Sequence, residues 1–299
     1  MFLRTLIVFL PLLSPALGIY AQEPEKAEDP VKGKIAFIGD KNGSSNIYLV
    51  NPDGSGLKQV TDDPEGLGPM VSIAPNGKKL VATVQKKIIL FDLEDGSRKK
   101  LASTRGYFPT WSPDGGRIAF NGEGDSCSYI CIVDTAGEEV EKLTDGDNCP
   151  LWTTWGPKGK RLVYQGKGYD LFSVHVEEPH PIQRLTHTGK GPGKPPVARK
   201  IPTWSPDGDK IAFHAGFLDT TKSSGLYMTD RNGEGLTLIR KGSFRDQRAW
   251  TADGQHLLVS LTGEHGSDLY LIDLEGEIVR EVLDFEGSVH SPSLAVGMK

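Results

Sequence analysis

The chain contains residue types that can carry out acid–base or nucleophilic chemistry, but their spacing matches no catalytic motif. Its histidines are dispersed, at positions 175, 180, 187, 214, 256, 265 and 290. No Gly-x-Ser-x-Gly nucleophile elbow, phosphate-binding loop, dinucleotide fingerprint or His-Glu-x-x-His zinc motif occurs. Asp40-Lys41-Asn42-Gly43 lacks the downstream Glu of a calcium loop, so a turn is the better interpretation. We therefore predict no metal, no cofactor and no catalytic residue, while enzymatic activity stays open.

An internal sequence repeat predicts the secondary-structure elements that position these residues. A turn motif reads Trp-Ser-Pro-Asp-Gly at Trp111 and Trp204, with variants at Ile73, Trp155 and Trp250. The third positions of this motif, at 75, 113, 157, 206 and 252, lie 38, 44, 49 and 46 residues apart, which is the spacing of β-propeller blades. The four tryptophans share one repeat position, so we predict that they lie in the core between blades.

Each repeat predicts four short β-strands. The turn motif ends one strand, since Pro presets φ and Asp-Gly supplies the positive-φ positions that a hairpin needs. A β-rich run such as 117–120 follows, then a third strand such as 129–134, a second tight turn and a fourth strand. No segment shows a convincing helical period. The pattern predicts an all-β propeller of four-stranded antiparallel blades.

One repeat is split between the two ends of the chain. Residues 33–61 supply only a second, third and fourth strand, whereas residues 288–292 look like a first strand with nothing after it. We predict that the C-terminal strand completes the N-terminal blade, which closes the ring and removes exposed sheet edges. The prediction is then a six-bladed β-propeller over residues 33–299.

The motif Trp-Ser-Pro-Asp-Gly-x-x-Ile-Ala-Phe resembles the WD40-like (PD40) repeat of TolB-like β-propellers, over residues 33–296. The resemblance implies the fold and says little about function. TolB is a periplasmic protein of the Tol–Pal envelope system with an α/β domain before its propeller. Only about a dozen residues precede the first strand here after the leader, so we expect a TolB-like propeller without that domain. The same repeat occurs in prolyl oligopeptidase-type enzymes, whose hydrolase domain we also expect to be missing.

The predicted topology places loops of two kinds on opposite faces of the ring. The Asp-Gly turns share one face, here named the turn face. The longer loops, between strands two and three and between blades, share the long-loop face, where function on a rigid scaffold usually lies. We predict that a partner or ligand binds on this face near blades four to six, through Trp152, His187, Lys194, Arg199, His214, Arg245 and Arg248. The acidic residues of this face fall in blades one to four: Asp62, Asp63, Glu65, Glu123, Asp125, Asp145 and Asp147.

The three cysteines allow at most one disulfide, because an odd number leaves one thiol over. Cys127 and Cys149 lie in predicted loops of the third blade and of the connection to the fourth blade, on the same face. We predict a bond between these two, with Cys131 buried as a free thiol within its strand. Three unpaired thiols are the alternative.

The N-terminus and the composition indicate an exported protein. Residues 1–21 resemble a cleavable signal peptide, with Arg4 before a short apolar run and small residues near the cleavage region. Residues 22–32 are predicted to be a flexible lead-in. We expect a secreted monomer, periplasmic if bacterial, with no stable membrane insertion after cleavage; a retained N-terminal anchor is the alternative. The net charge of −5 argues against nucleic acid as a partner.

These features favour a non-catalytic binding or scaffold protein that engages a protein or glycan through the long-loop face. The basic residues near blades five and six favour an acidic protein segment or a carboxylate-bearing glycan. One alternative is an enzyme in the channel, a carbohydrate lyase or hydrolase, with His187, His214, Arg245 and Asp147 converging at its mouth. Another is a structural partner in a larger complex, with the turn face as the interface.

Overall fold

A computed structural model describes residues 29–62, 66–137, 139–187, 197–216, 224–242, 244, 249–262 and 266–295, with positions 197–200 described by their backbone alone. The regular secondary structure of these residues consists of β-strands and one turn of 3-10 helix at Lys167–Tyr169. In chain order the strands are β1 (Ile35–Lys41), β2 (Ser44–Val50), β3 (Lys58–Gln59), β4 (Leu67–Ile73), β5 (Lys79–Val84), β6 (Lys87–Asp92), β7 (Arg98–Lys100), β8 (Gly106–Trp111), β9 (Arg117–Gly122), β10 (Tyr129–Asp134), β11 (Val140–Lys142), β12 (Leu151–Trp155), β13 (Arg161–Gln165), β14 (Leu171–His175), β15 (Ile182–Arg184), β16 (Val197–Trp204), β17 (Lys210–Gly216), β18 (Gly225–Asp230), β19 (Thr237–Lys241), β20 (Ala249–Trp250), β21 (His256–Thr262), β22 (Ser267–Asp273), β23 (Ile278–Leu283) and β24 (Ser288–Leu294).

Hydrogen bonding groups these strands in fours. Four sheets each hold four antiparallel strands, and an eight-stranded sheet divides into two such groups linked by one parallel bridge between Ser267 and Ser288. We number the groups as blades: blade 1 is β24 with β1–β3, blade 2 is β4–β7, blade 3 is β8–β11, blade 4 is β12–β15, blade 5 is β16–β19 and blade 6 is β20–β23. The predicted all-β fold of four-stranded antiparallel sheets is confirmed.

Hydrophobic clusters lie between successive blades. Successive side chains of a strand point to opposite faces of its sheet, so one strand can serve two neighbours. In β1, Ile35 and Phe37 pack against residues of blade 6, whereas Ala36 and Ile38 pack against residues of blade 2. A strand that is buried on both faces needs a continuous apolar run, which explains why second strands such as β1, β9 and β17 contain Ile-Ala-Phe rather than alternating with polar residues.

The C-terminal strand belongs to blade 1. β24 runs antiparallel to β1, with Ile35 opposite Leu294, and the amide of Ala295 donates to the carbonyl of Lys34 at 2.9 Å. Val289 is fully buried in the cluster between blades 1 and 6. The predicted pairing of the C-terminal strand with the N-terminal blade is therefore confirmed.

The turns between first and second strands are held by a small set of hydrogen bonds. In blade 3, the hydroxyl of Ser112 donates to Oδ1 of Asp114, and the amide of Gly116 donates to the same oxygen at 3.0 Å. Gly115 has φ 69°, but Asp114 has no positive φ, so the prediction that Asp and Gly both take positive-φ positions is wrong for Asp. Asp114 instead accepts hydrogen bonds, because a short carboxylate can cap the amides of its own turn.

Replacing Asp114 by Ala is expected to lower the free energy of unfolding by about 0.5–1 kcal/mol, a small effect because the carboxylate is exposed. The hydroxyl of Ser112, chiefly, holds the pKa of Asp114 below its usual value. A lowered folded-state pKa adds stability above the unfolded-state pKa, and that stability is lost as the pH falls through the folded value. The difference between variant and native protein in urea melts should therefore shrink below about pH 4. Asp62→Ala is the control, and an equal loss there would contradict the role of the turn.

The end of the predicted lead-in packs against the propeller. Val31 is buried between blades 1 and 6, and Oδ2 of Asp29 lies 2.8 Å from Nη2 of Arg280 in β23. Residues 1–28 lie outside the described residues, so the signal peptide at 1–21 stays a prediction. Within the part of the chain that the structure describes, no helix has the length and apolar character needed to cross a membrane.

Candidate functional site on the long-loop face

The first strand of a blade carries a bulge at a recurring place, three residues before the tryptophan position of the repeat. Phe108, Trp152, Ile201 and Ser291 take φ values of 56°, 58°, 37° and 55° there. At each of them the pairing with the neighbouring strand shifts register. Residues other than glycine rarely adopt positive φ, and bulges commonly re-aim a side chain near a functional site. The bulges therefore indicate that the first strands of the blades carry candidate binding residues.

Hydrogen bonds between blades hold these bulged strands in place. Three repeat tryptophans donate their indole N–H to a carbonyl of the preceding blade: Trp111 to Ser72 at 3.1 Å, Trp155 to Thr110 at 3.1 Å and Trp250 to Thr203 at 3.2 Å. These three tryptophans are buried, as predicted for this repeat position, whereas the fourth, Trp204, is only partly buried. Each indole therefore contributes to the core and links two blades, because its ring is buried while its N–H donates a hydrogen bond to the preceding blade.

Two aromatic rings meet at the junction of blades 3 and 4. The ring centroids of Phe108 and Trp152 lie 4.0 Å apart with an interplanar angle of 34°, and both side chains are half-buried. Sequence reasoning singled out Trp152 and missed Phe108. The signal was present, since each lies three residues before a repeat tryptophan. A half-buried aromatic pair on two rigid strands can anchor a partner at little cost in conformational entropy.

The predicted disulfide forms close to this junction. Cys127 and Cys149 are bonded, with 4.8 Å between their Cα atoms, and Cys131 is a free buried cysteine. Burial raises the pKa of the Cys131 thiol to about 12, so this thiol stays protonated and unreactive at neutral pH. The predicted pairing is confirmed. The bond ties the loop after β9 to the loop before β12.

A polar cavity of about 580 Å³ lies beside the disulfide. Its charged lining residues are Glu123, Asp125, Asp145, Asp147, Lys142 and Lys167. Nζ of Lys142 lies 3.8 Å from Oδ1 of Asp145 and 4.7 Å from the centre of the Tyr129 ring, so this lysine is already engaged. Four carboxylates against two amines make the cavity negative, in agreement with the acidic side predicted for this face.

Glu123 links the acidic cavity to the aromatic pair. Its carboxylate accepts from Nζ of Lys86 at 2.8 Å and from the hydroxyl of Tyr107 at 3.3 Å. These contacts, chiefly the one with Lys86, lower the pKa of Glu123, so the carboxylate is charged at neutral pH. Tyr107 precedes Phe108, and their ring centroids are 6.1 Å apart. The cavity and the aromatic pair therefore form one surface, which we name the blade 3–4 surface.

The other predicted site residues lie away from the blade 3–4 surface or outside the residues that the structure describes. His187 is exposed after β15, and His214 in β17 is only 8% exposed, with its ring centroid 6.3 Å from that of Phe244. Neither histidine lines the acidic cavity. Lys194, Arg245 and Arg248 lie outside the described residues, and Arg199 belongs to the stretch of β16 known by its backbone alone. The predicted basic cluster thus stays a prediction. No group of His, Cys, Asp or Glu in the described ranges could hold a metal ion.

The four-stranded sheets, the repeated turns and the aromatic strand positions define a β-propeller. Residues 82–297 match the family model of the TolB beta propeller domain, and the chain belongs to that family. No curated protein matches the sequence.

Solved structures of the same fold differ in function. TolB from Acinetobacter baumannii is 19% identical with a TM-score of 0.74, over 88% of this chain and 66% of that chain. A chain of the nidogen/laminin complex is 10% identical with a TM-score of 0.68, over 88% of this chain and 98% of that chain. An oligogalacturonate lyase from Vibrio parahaemolyticus is 15% identical with a TM-score of 0.56, over 84% of this chain and 75% of that chain. At these identities the likeness shows the fold alone.

Proposed function

We propose that this protein is a non-catalytic binding or scaffold protein of the periplasm, envelope or extracellular space, and that it engages a protein or glycan partner through its long-loop face. The observation that carries the proposal is the half-buried Phe108–Trp152 pair on two bulged strands, next to a negative cavity. The Cys127–Cys149 bond supports an oxidising compartment, because cytosolic thiols are kept reduced.

The blade 3–4 surface has the composition of a binding centre. A few hot-spot residues, among which Trp, Tyr and Arg are enriched, supply most of the energy at protein interfaces, and surrounding charges set orientation and specificity. The acidic cavity favours a partner with a basic group at this point. The basic residues predicted beyond blade 4, such as Lys194 and Arg245, would attract an acidic group on the same partner. A chain of the same fold occurs in a complex of nidogen with laminin, and this supports protein binding by such a propeller.

Site-specific photo-crosslinking in the source organism tests which face is used. A photoreactive amino acid at Leu151, which is 37% exposed beside Trp152, should give discrete adducts. The same group at Asp95, exposed in a turn between β6 and β7, should give none. Adducts from Asp95 alone would contradict the proposal and favour the turn face as an interface.

Replacing Trp152 by Ala is expected to weaken partner binding about 30-fold or more, since an aromatic hot spot contributes about 2 kcal/mol or more. Trp152→Phe keeps an aromatic ring against Phe108 and should lose much less. Affinity is measured by calorimetry with the crosslinked partner, and melting temperatures show that both variants fold. Native affinity in the Ala variant would place the binding site elsewhere.

A carbohydrate lyase or hydrolase acting in the channel is the second candidate, favoured by the shared fold of the oligogalacturonate lyase. The protein would be incubated with acidic and neutral polysaccharides, and new chain ends would be measured. We expect no turnover. Turnover that is lost on replacing His214 or His187 would instead favour the enzyme.

A further inference from the structure

Blade 4 departs from the turn motif of its neighbours. Blades 3 and 5 read Ser-Pro-Asp-Gly, and Ser112 and Ser205 each donate a hydroxyl hydrogen bond to the Asp two residues on. Blade 4 reads Gly-Pro-Lys-Gly at 156–159. Gly156 removes the donor and Lys158 replaces the acceptor, so this turn gives up its internal cap and carries a cation instead. Departures from a local rule in an otherwise consistent sequence occur most often at functional sites.

The junction of blades 4 and 5 also lacks contacts that the junction of blades 3 and 4 makes. In blade 3, Arg117 donates from Nη2 to the carbonyl of Gly159 at 3.3 Å, and its guanidinium lies 5.1 Å from the centre of the Trp155 ring. Arg161 holds the same repeat position in blade 4. Its guanidinium is exposed and makes no hydrogen bond, ion pair or ring contact with the described residues. The guanidinium is therefore available for a ligand.

Trp204 breaks the pattern in the same place. The indole N–H groups of Trp111, Trp155 and Trp250 each reach a carbonyl of the preceding blade, but that of Trp204 is buried without a hydrogen-bond partner among the described residues. Its side chain is only partly buried. An unsatisfied buried N–H costs free energy, so the junction is less closely fitted than its equivalents.

A cavity of about 390 Å³ lies at this junction on the turn face. Its lining includes the cations Lys158, Lys160, Arg161 and Arg231, the ring of Trp204 and one carboxylate, Asp207. Lys160 lies 4.0 Å from Glu177 and Arg231 lies 3.7 Å from Asp209. Lys158 and Arg161 have no ion-pair partner among the described residues. Cations gathered in one cavity repel each other, and a bound anion would offset that repulsion.

We propose that this cavity, on the face opposite the blade 3–4 surface, binds a small molecule through an oxyanion group, either a phosphate or a carboxylate. The planar guanidinium of Arg161 can hold two oxygens of such a group, and the amine of Lys158 adds a movable point charge. The ring of Trp204 supplies an apolar wall, and Gln183 and Asn232 supply amides for neighbouring polar groups. The site does not depend on the proposed function of the long-loop face.

Calorimetric titration at constant ionic strength tests the proposal, with phosphate and malonate as separate probes. We expect the native protein to bind at least one of them. Changing both Lys158→Gln and Arg161→Gln should weaken binding about tenfold or more, because charge-assisted hydrogen bonds are lost. The control, Lys58→Gln with Lys100→Gln, removes two exposed lysines from other blades and should bind as the native protein does. Binding of phosphate alone would identify a phosphate group, and binding of malonate alone a carboxylate.

A second variant restores the repeat motif at the same turn. Gly156→Ser with Lys158→Asp supplies the hydroxyl and carboxylate of the neighbouring turns and replaces the cation by an anion, so anion binding should be lost. The proposal is overturned if neither probe binds the native protein, if the double Gln variant and the control bind equally well, or if the restored turn still binds with native affinity.

Discussion

Removing residues 286–299 is expected to abolish cooperative folding. The change deletes β24, which pairs with β1 and carries Val289 and Leu294 into the core between blades 1 and 6. Burying one such side chain contributes about 1.5–3 kcal/mol, and the backbone hydrogen bonds to β1 are lost as well. Because the net stability of a domain is only about 5–15 kcal/mol, the truncated chain should show no cooperative thermal transition by circular dichroism.

Two milder variants keep this test interpretable if the truncated chain cannot be purified. A chain that ends at Ala295 keeps every described contact of β24 and should melt like the full-length protein. Leu294→Ala leaves the strand paired but creates a cavity, and should lower the free energy of unfolding by about 2–4 kcal/mol. A chain without 286–299 that melts at the native temperature would show that β24 does not support the fold.

Loss of the Cys127–Cys149 bond is expected to have the second largest effect. The bond closes a loop with a sequence separation of 22, and a cross-link of that span contributes about 3 kcal/mol, largely by restricting the unfolded chain. Cys127→Ser with Cys149→Ser should lower the urea midpoint accordingly. Since the bond also ties the two loops around the acidic cavity, hydrogen exchange should rise there more than in blades 1 and 6.

Reductant supplies the matched control for the disulfide. It should destabilise the native protein to the level of the double Ser variant and leave that variant unchanged. Under denaturing, non-reducing conditions, alkylation should find one thiol per chain, that of Cys131. Three alkylated thiols in protein isolated from its natural compartment would mean that the bond does not form there.

Many features of this protein were predictable because they depend on residues that are close in the sequence. The positive φ of the glycine in the turn at 112–116 was predictable, whereas the capping role of the Asp114 carboxylate was not. The strands follow from runs such as 117–120. Repetition then adds what one segment cannot show, since the N-terminal repeat lacks a first strand and the residues near the C-terminus form a first strand with nothing after it. The structure places Leu294 at the tryptophan position of this strand, opposite Ile35. The Cys127–Cys149 bond followed from the same topology.

The tertiary structure alone decided which side chains meet across blades. Phe108 and Trp152 are far apart in the chain, and only the bulges at their positive φ angles bring the two rings to 4.0 Å. The exposed guanidinium of Arg161 likewise cannot be foreseen from the sequence, because Arg117 holds the same repeat position and contacts Gly159 and the Trp155 ring. The physical reason is that a strand pattern specifies which face a side chain lies on. Whether a junction closes on that side chain or leaves a cavity depends on the shapes and charges of both neighbouring blades.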